Sequence, residues 1–175
     1  QSATTWYGYD AVGSLLSEVR TTVASANVTP QPDGRLSTTD AHAEITQYEY
    51  DALNRRTKTI EADPDGAAGP QLSPITQYNY DAFGNVITIT DANQGVTTRT
   101  YDALNRLVKI TQPDPDGTGP QSPTTWYSYD AVGNLLSEVR TTVTSAEVHY
   151  QADGQYQDTT DPNAVQELGD AAAQN

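Results

Sequence analysis

The residues best placed to do chemistry are four aspartates in two acidic loops. Asp63 and Asp65 lie in Asp63-Pro64-Asp65-Gly66, and Asp114 and Asp116 in Asp114-Pro115-Asp116-Gly117. Carboxylates at alternate positions ahead of a glycine are a calcium-loop pattern, because a hard cation gathers side-chain and carbonyl oxygens within one turn. A complete loop of that kind needs further ligands and a distal glutamate, and none stands at that spacing. An acidic, solvated turn is the plainer reading. Calcium is thus the only cofactor the sequence suggests, and removing it is not expected to unfold the chain. Tyr7, Tyr9, Tyr127 and Tyr129, with Trp6 and Trp126, would suit a platform on which sugars stack, against the alternative of sheet packing. Asn27-Val28-Thr29 is a single N-glycosylation sequon. His42 and His149 stand far apart, with no cysteine or second histidine at metal-ligand spacing. No nucleophile elbow, phosphate loop or dinucleotide fingerprint occurs, and nothing marks the chain as an enzyme.

Composition narrows the function further. The 175 residues carry a net charge of −14, which disfavours nucleic-acid phosphates as partners. Hydrophobic residues make up 35%, with 11 Tyr against one Phe and no Met or Cys. A core drawn from this set is thin, with half-buried tyrosine rings whose hydroxyls stay at the rim. No apolar run is long enough for a membrane-spanning helix, and no signal peptide is present. The sequence begins at Gln1 and lacks methionine, so a processed product or an excerpt of a longer chain is expected, from a secreted or cell-surface parent.

These candidate residues must be positioned by a repeated corner. Tyr-Asp-Ala-x-Gly/Asn occurs five times: Tyr9-Asp10-Ala11-Val12-Gly13, Tyr50-Asp51-Ala52-Leu53-Asn54, Tyr80-Asp81-Ala82-Phe83-Gly84, Tyr101-Asp102-Ala103-Leu104-Asn105 and Tyr129-Asp130-Ala131-Val132-Gly133. Asp followed three residues later by Gly marks a type I turn. Gly and Asn are the residues that best tolerate a left-handed backbone, and a left-handed residue after a type I turn closes a short hairpin with a bulge. Each copy therefore predicts a hairpin corner with positive φ at Gly84, Gly133, Asn54 and Asn105, its aspartate bonded to the turn backbone.

The flanking runs alternate with period two. In Ile75–Tyr80, Thr76, Tyr78 and Tyr80 share one face, and Thr46, Tyr48, Tyr50 and Thr125, Tyr127, Tyr129 repeat the pattern. Leu135, Ser137, Val139, Thr141 and Val143 share a face after the last corner. Tyrosines of successive repeats are expected to form cross-strand ladders. Successive corner aspartates lie 41, 30, 21 and 28 residues apart, and a longer period of 120 encloses them. Thr4–Val23 and Thr124–Val143 agree at 18 of 20 positions, differing only at Gly8/Ser128 and Ser14/Asn134. Residues 1–156 read as one repeat region and 157–175 as a polar, alanine-rich tail, in which Ala164–Ala173 suggests a short marginal helix. The expected fold is all-β: tandem hairpins in an extended or spiral antiparallel sheet.

The motif and its continuations Gly84-Asn85, Gly133-Asn134, Asn105-Arg106-Leu107 and Asn54-Arg55 resemble the YD (RHS) repeat family, over most of residues 4–143. The resemblance implies long all-β chains wound into a spiral sheet, which in some members closes into a shell around a C-terminal toxin. Toxin-bearing members share Asp-Pro-x-Gly-Leu before the toxin. Here Asp161-Pro162-Asn163-Ala164-Val165 lacks the Gly-Leu. The leading expectation is accordingly a non-enzymatic structural repeat that builds an extracellular fibre or scaffold. Its copies would join through exposed strand edges such as Thr4–Tyr9, or covalently in a longer array. A shell segment enclosing or delivering a toxin, and a carbohydrate-binding module, are the alternatives.

Overall fold

The structure is a computed structural model. It describes residues 3–22, 28–66, 69–115, 117 and 122–141, together with the backbone of three later strands at 148–150, 156–158 and 165–168. The chain divides into two compact units, Gln1–Tyr78 and Asn79–Asn175. All regular structure among the described residues is β, and every strand pairing is antiparallel.

The first unit contains β1 (Thr4–Tyr9), β2 (Leu15–Thr21), β3 (Val28–Pro30), β4 (Leu36–Thr38), β5 (Glu44–Tyr50) and β6 (Arg56–Ile60). The division between units falls inside β7 (Ile75–Tyr80). The main sheet of this unit runs β1-β2-β5-β6-β7. β3 and β4 form a separate hairpin between β2 and β5 in the chain. That insertion accounts for the long interval between the first two corners. The second unit contains β8 (Val86–Thr90), β9 (Val96–Tyr101), β10 (Leu107–Thr111), β11 (Thr124–Tyr129), β12 (Leu135–Thr141), β13 (Val148–Tyr150), β14 (Tyr156–Asp158) and β15 (Val165–Leu168). Its sheet runs β8-β9-β10-β11-β12-β15, with β13–β14 as the inserted hairpin.

The segment in which the sequence suggested a short helix thus contains a strand. β15 pairs with β12 through Ser137↔Leu168, Glu138↔Glu167, Val139↔Gln166 and Arg140↔Val165. β5 meets the twin strand β2 in the same register, through Ser17↔Gln47 to Arg20↔Glu44. A short helix gains little by itself, whereas a strand added to an exposed edge satisfies a whole row of backbone groups at once.

Alternation sorts the strands into two faces. On β7 and β9 the Thr/Tyr positions are half-buried and their neighbours exposed. Arg99 shares the packed face of β9 with Tyr101. In the duplicated hairpins the fully buried residues lie on the other face. Val19 and Val139 are the only buried large apolar side chains among the described residues, ringed by buried Ser17, Thr21, Ser137 and Thr141. Direct tyrosine ladders do not form. The strand tyrosines face residues of other types, as in Tyr7↔Glu18, Tyr48↔Thr59 and Tyr127↔Glu138, and so do the corner tyrosines in Tyr9↔Leu15, Tyr50↔Arg56, Tyr101↔Leu107 and Tyr129↔Leu135. In the main sheet of each unit the strands bearing tyrosine alternate with strands that do not, so no described register pair there sets one tyrosine opposite another. Arg56 fills the interval on β6, with its guanidinium 5.8 Å from the Tyr48 ring centre and 5.1 Å from that of Tyr78. Cation–π attraction thus takes the place of ring stacking.

The covered face is closed in the first unit by the β3–β4 hairpin. Leu36 donates its amide to the Ser17 Oγ at 2.8 Å. Thr21 donates its hydroxyl to Asp40, whose other oxygen accepts the His42 amide at 3.0 Å and turns the chain into β5. Close approach explains Gly8: a Cβ there would lie 2.5 Å from the Gly34 carbonyl oxygen and 2.7 Å from Ser17 Oγ. In the second copy Ser128 fills that position, buried with its Oγ 2.6 Å from that of Ser137. The two glycine requirements in this chain thus differ in kind. Gly8 is needed for space, whereas Gly133 has nothing within 4 Å of a built Cβ but sits at φ 98°.

Two substitutions separate these requirements. Gly8→Ala must push the covering hairpin off β1, and a cost of about 1–3 kcal/mol is expected, as for overpacking elsewhere. Gly133→Val should cost at least about 1 kcal/mol through backbone strain alone. Denaturant midpoints measure both, and a neutral result for Gly133→Val would contradict the corner geometry.

Candidate functional site

The five corners share one hydrogen-bond plan. In each, the aspartate carbonyl accepts the amide three residues on, at 3.0–3.2 Å, and the aspartate amide donates to the carbonyl four residues on, at 2.9–3.0 Å. The fifth motif residue is left-handed in every copy: Gly13 at φ 92°, Asn54 at 59°, Gly84 at 91°, Asn105 at 59° and Gly133 at 98°. The strand register slips by one residue at four of the corner tyrosines or beside them, as the bulge requires. The aspartate side chain secures the turn. One oxygen, Oδ1, accepts two amides, those of Val12 and Ser14, Leu53 and Arg55, Phe83 and Asn85, Leu104 and Arg106, and Val132 and Asn134. Oδ2 takes the side chain four residues on: Arg55 and Arg106 through Nε at 2.7 Å, Asn85 at 2.9 Å and Asn134 at 2.8 Å.

These bonds hold the carboxylates below the ordinary aspartate range. For Asp10 the largest cause is the Ser14 amide, for Asp51 the Arg55 amide, and for Asp81 and Asp130 the amide side chains of Asn85 and Asn134. At Asp102 burial is the largest influence and pushes upward, but the amide and guanidinium of Arg106 together outweigh it.

Successive corners are also bonded to one another. The Tyr50 hydroxyl donates to the Leu15 carbonyl at 3.0 Å, Tyr101 to Val86 at 3.1 Å and Tyr129 to Leu107 at 2.8 Å. In each case the acceptor is the first residue of the strand that leaves the preceding corner. A second contact runs beside it. Ser14 Oγ donates to Asn54 Oδ1 at 2.7 Å, Asn85 Nδ2 to Asn105 Oδ1 at 3.0 Å, and Arg106 to the Asp130 carbonyl at 2.9 Å. Arg106 also lies 4.9 Å from the centre of the Tyr129 ring. The residue after the motif therefore faces both ways, bracing its own aspartate or reaching the next corner. This accounts for Ser14 in one twin and Asn134 in the other: Ser14 reaches forward to Asn54, whereas Asn134 braces Asp130.

Sequence reading missed one corner. Asp91-Ala92-Asn93-Gln94-Gly95 joins β8 to β9 with the same bonds, Asp91 Oδ1 accepting the Asn93 and Gly95 amides at 2.8 Å, and Gln94 takes φ 65°. Thr90 precedes it in place of tyrosine, so the Tyr-Asp signature is absent; Asp-Ala was the signal left. The hairpin β3–β4 turns in the same way over Gln31–Arg35, with the Gln31 amide donating to the Arg35 carbonyl at 2.7 Å.

Two of the four proposed calcium ligands, Asp63 and Asp65, accept backbone amides of their own loop. Asp63 accepts the Asp65 amide and Asp65 accepts the Gln71 amide, both at 3.3 Å. Among the described residues no group of three or more His, Cys, Asp or Glu stands close enough to hold a metal ion. Asp116 and Asn27 lie outside the described residues. The aromatic platform is divided by the sheet: Trp6 pairs with Val19 on the covered face, while Tyr7 pairs with Glu18 on the other. A shallow cleft of about 440 Å³ beside the first two corners includes Tyr48, Tyr50, Asn54 and Arg35. Its polar groups are spent internally, Tyr50 on Leu15, Asn54 on Ser14 and Arg35 on Asp33.

Antiparallel hairpins closed by one capped turn and bonded corner to corner define an all-β tandem-hairpin repeat. The RHS Repeat family model matches residues 32–68 and 80–118, which include the second, third and fourth Tyr-Asp corners, so these segments are RHS (YD) repeats. No curated protein sequence matches the chain. Among solved structures, one titled TcdB2-TccC3-Cdc42 is 17% identical, with 83% of this chain and 8% of that chain covered and a TM-score of 0.40. TcdB2-TccC3 is 20% identical, with 82% and 8% covered and a TM-score of 0.40. A Photorhabdus luminescens Tc holotoxin pore carrying a TccC3 mutation is 20% identical, with 83% and 8% covered and a TM-score of 0.37. The chain spans less than a tenth of those chains.

Acid should loosen the corners. A carboxylate whose folded pKa is depressed contributes stability in full above its unfolded value, and loses it as pH falls through the folded one. The melting temperature is expected to hold from neutrality to about pH 5 and to fall steeply below about pH 4; a flat profile down to about pH 2 would contradict the carboxylate bonding. Removing one link between corners with Tyr101→Phe should cost about 0.5–1.5 kcal/mol. Tyr9 stands on β1, which has no described hairpin before it, so Tyr9→Phe serves as the control and should be near neutral.

Proposed function

We propose that this chain is a length of wall from a larger RHS-type shell that encloses or delivers cargo, without catalytic chemistry of its own. One observation carries the reading: the corner-to-corner ladder of tyrosine hydroxyls and carbonyls. In such a ladder a hairpin's motif residues serve the neighbouring hairpin rather than a ligand. A sheet of this kind grows by repetition, each repeat stabilised mainly by the ones beside it. The RHS Repeat matches support the same reading. The inserted hairpin over one face and the half-buried Tyr/Arg rows on the other suit a partition between two environments better than an open binding groove.

Nothing in the fold favours the fibre expected from the sequence over a wall segment. The carbohydrate-binding reading loses its main support, because tyrosines and tryptophans lie on opposite faces. The parent is proposed to act outside the cell that makes it, with further repeats of the same chain as its immediate partners and neither nucleic acid nor a metal cofactor. No helix among the described residues is long and apolar enough to cross a membrane.

Electron microscopy of the native parent chain tests the proposal. Closed, hollow particles are expected. Unbranched filaments of indefinite length would instead restore the fibre, and binding of the 175-residue chain to a glycan array would restore the carbohydrate-binding module.

A further inference from the structure

The duplicated hairpins differ in one respect that their own residues do not explain. Thr4, Tyr7 and Tyr9 are exposed, whereas their twins Thr124, Tyr127 and Tyr129 are buried or half-buried. The cause lies outside the hairpin. In the second unit β10 lies along the outer edge of β11, whereas among the described residues no strand lies along the corresponding edge of β1. The chain thus shows what such an edge accepts. β10 meets β11 through Thr111↔Thr124, Ile110↔Thr125 and Lys109↔Trp126. The Lys109 ammonium sits 4.3 Å from the Trp126 ring centre, and Arg106 serves both the Tyr129 ring and the Asp130 carbonyl. The Tyr129 hydroxyl donates to the Leu107 carbonyl. Every receiving group recurs on the first hairpin, as Thr4, Thr5, Trp6, Tyr9 and the Asp10 carbonyl. The approach recurs too, since Gln1-Ser2 leads into Thr4 as Gln121-Ser122 leads into Thr124.

We propose that the outer edge of β1 receives an outgoing strand of the β10 kind, Arg-Leu-x-Lys-Ile-Thr, from a further RHS hairpin of the same polypeptide. The strand pairs antiparallel in the twin's register, with threonine beside Thr4, isoleucine beside Thr5 and lysine beside Trp6. Its leucine carbonyl accepts the Tyr9 hydroxyl, and its arginine lies over the Tyr9 ring and reaches the Asp10 carbonyl. The tryptophan selects among strands. Lys109 stands opposite Trp126, whereas the matching residue of β8, Thr88, faces Thr98 on a strand without tryptophan. A strand like β8 offers neither cation, having Asn85 and Thr88 in the places of Arg106 and Lys109. A net charge of −14 also favours a basic strand over an acidic one. The inference deepens the wall-segment reading, and rests on it for the existence of the further hairpin.

A copy of residues 91–120 placed ahead of Gln1 recreates on β1 the context that β11 has. The outward-pointing amides of β1 should then exchange with deuterium at least about tenfold more slowly. The chain contains no cysteine, so Thr5→Cys can be paired cleanly with one thiol in the copy. Ile110→Cys in the copy should cross-link to it within one chain, and Val108→Cys, off that register, should not. Tyr9→Phe, near neutral in the chain without the copy, should speed this exchange about two- to tenfold, and Lys109→Met in the copy about two- to fivefold. A peptide of residues 105–113, added at about 1 mM to the chain without the copy, gives a second reading that does not depend on the extended chain folding. It should slow the same β1 amides, and its Lys109→Met variant should slow them less. Unchanged exchange in both experiments, cross-linking in both registers, or equal effects of the lysine and methionine strands overturns the proposal. So does a Thr5→Cys disulfide dimer of the chain without the copy, which would give the edge to a second molecule. None of these outcomes bears on the form of the parent particle, so the micrographs judge the wall reading separately.

Discussion

Each Tyr-Asp corner depends on a single oxygen atom. Asp Oδ1 accepts two backbone amides of its own turn, and without it those amides would point into a tight loop with no strand partner. An unpaired backbone donor is costly even when partly solvated, and here the same shortage recurs at each Tyr-Asp corner. Placing one carboxylate beside the two donors satisfies both, fixes the type I geometry, and leaves the next residue no choice but the left-handed region. Gly or Asn at the fifth position follows from that, as does the one-residue slip that lets the hairpin close with the twist of its strands. Oδ2 is then free to hold the side chain just before the outgoing strand, that of Arg55, Asn85, Arg106 or Asn134.

The tyrosine has a separate task. At Tyr50, Tyr101 and Tyr129 the ring lies half-buried on the sheet, and the hydroxyl crosses to the carbonyl that begins the outgoing strand of the preceding hairpin. Aspartate closes a hairpin and tyrosine joins it to its neighbour, so the Tyr-Asp dipeptide couples a local constraint to a longer-range one in two adjacent residues. This coupling explains how a chain with so little apolar content holds together. Val19 and Val139 are the only large apolar side chains buried among the described residues, and their surroundings are serines and threonines. Order comes instead from repeated, small polar contacts, with arginine over tyrosine replacing the stacked rings that a more hydrophobic sheet would use.

The covering hairpins supply the remaining burial. They are inserted after the duplicated strand pair, and each is followed by a strand that returns to the sheet, β5 in one unit and β15 in the other. Gly8 and Ser128 mark where the two copies have parted. One accepts a backbone carbonyl against its Cα, the other buries a serine pair.

The sequence by itself determined the corners, the antiparallel hairpins, the two-faced strands and the RHS resemblance, because each follows from residues within a few positions of one another. Turn chemistry and period-two alternation are local, and local preference prevails where little else competes. Only tertiary structure decided the rest. The acceptor of each tyrosine hydroxyl lies 15 to 35 residues away in the chain, and no spacing rule names it. Val165–Leu168 became a strand because β12 offered an open edge, a fact about neighbours that overrides helix propensity. In the first acidic loop the fold sets the carboxylates of Asp63 and Asp65 against backbone amides, partners that the Asp-Pro-Asp-Gly spacing does not name. Burial fell on the Ser/Val/Thr face of the duplicated strands because the inserted hairpin covers that face, and alternation alone treats both faces alike.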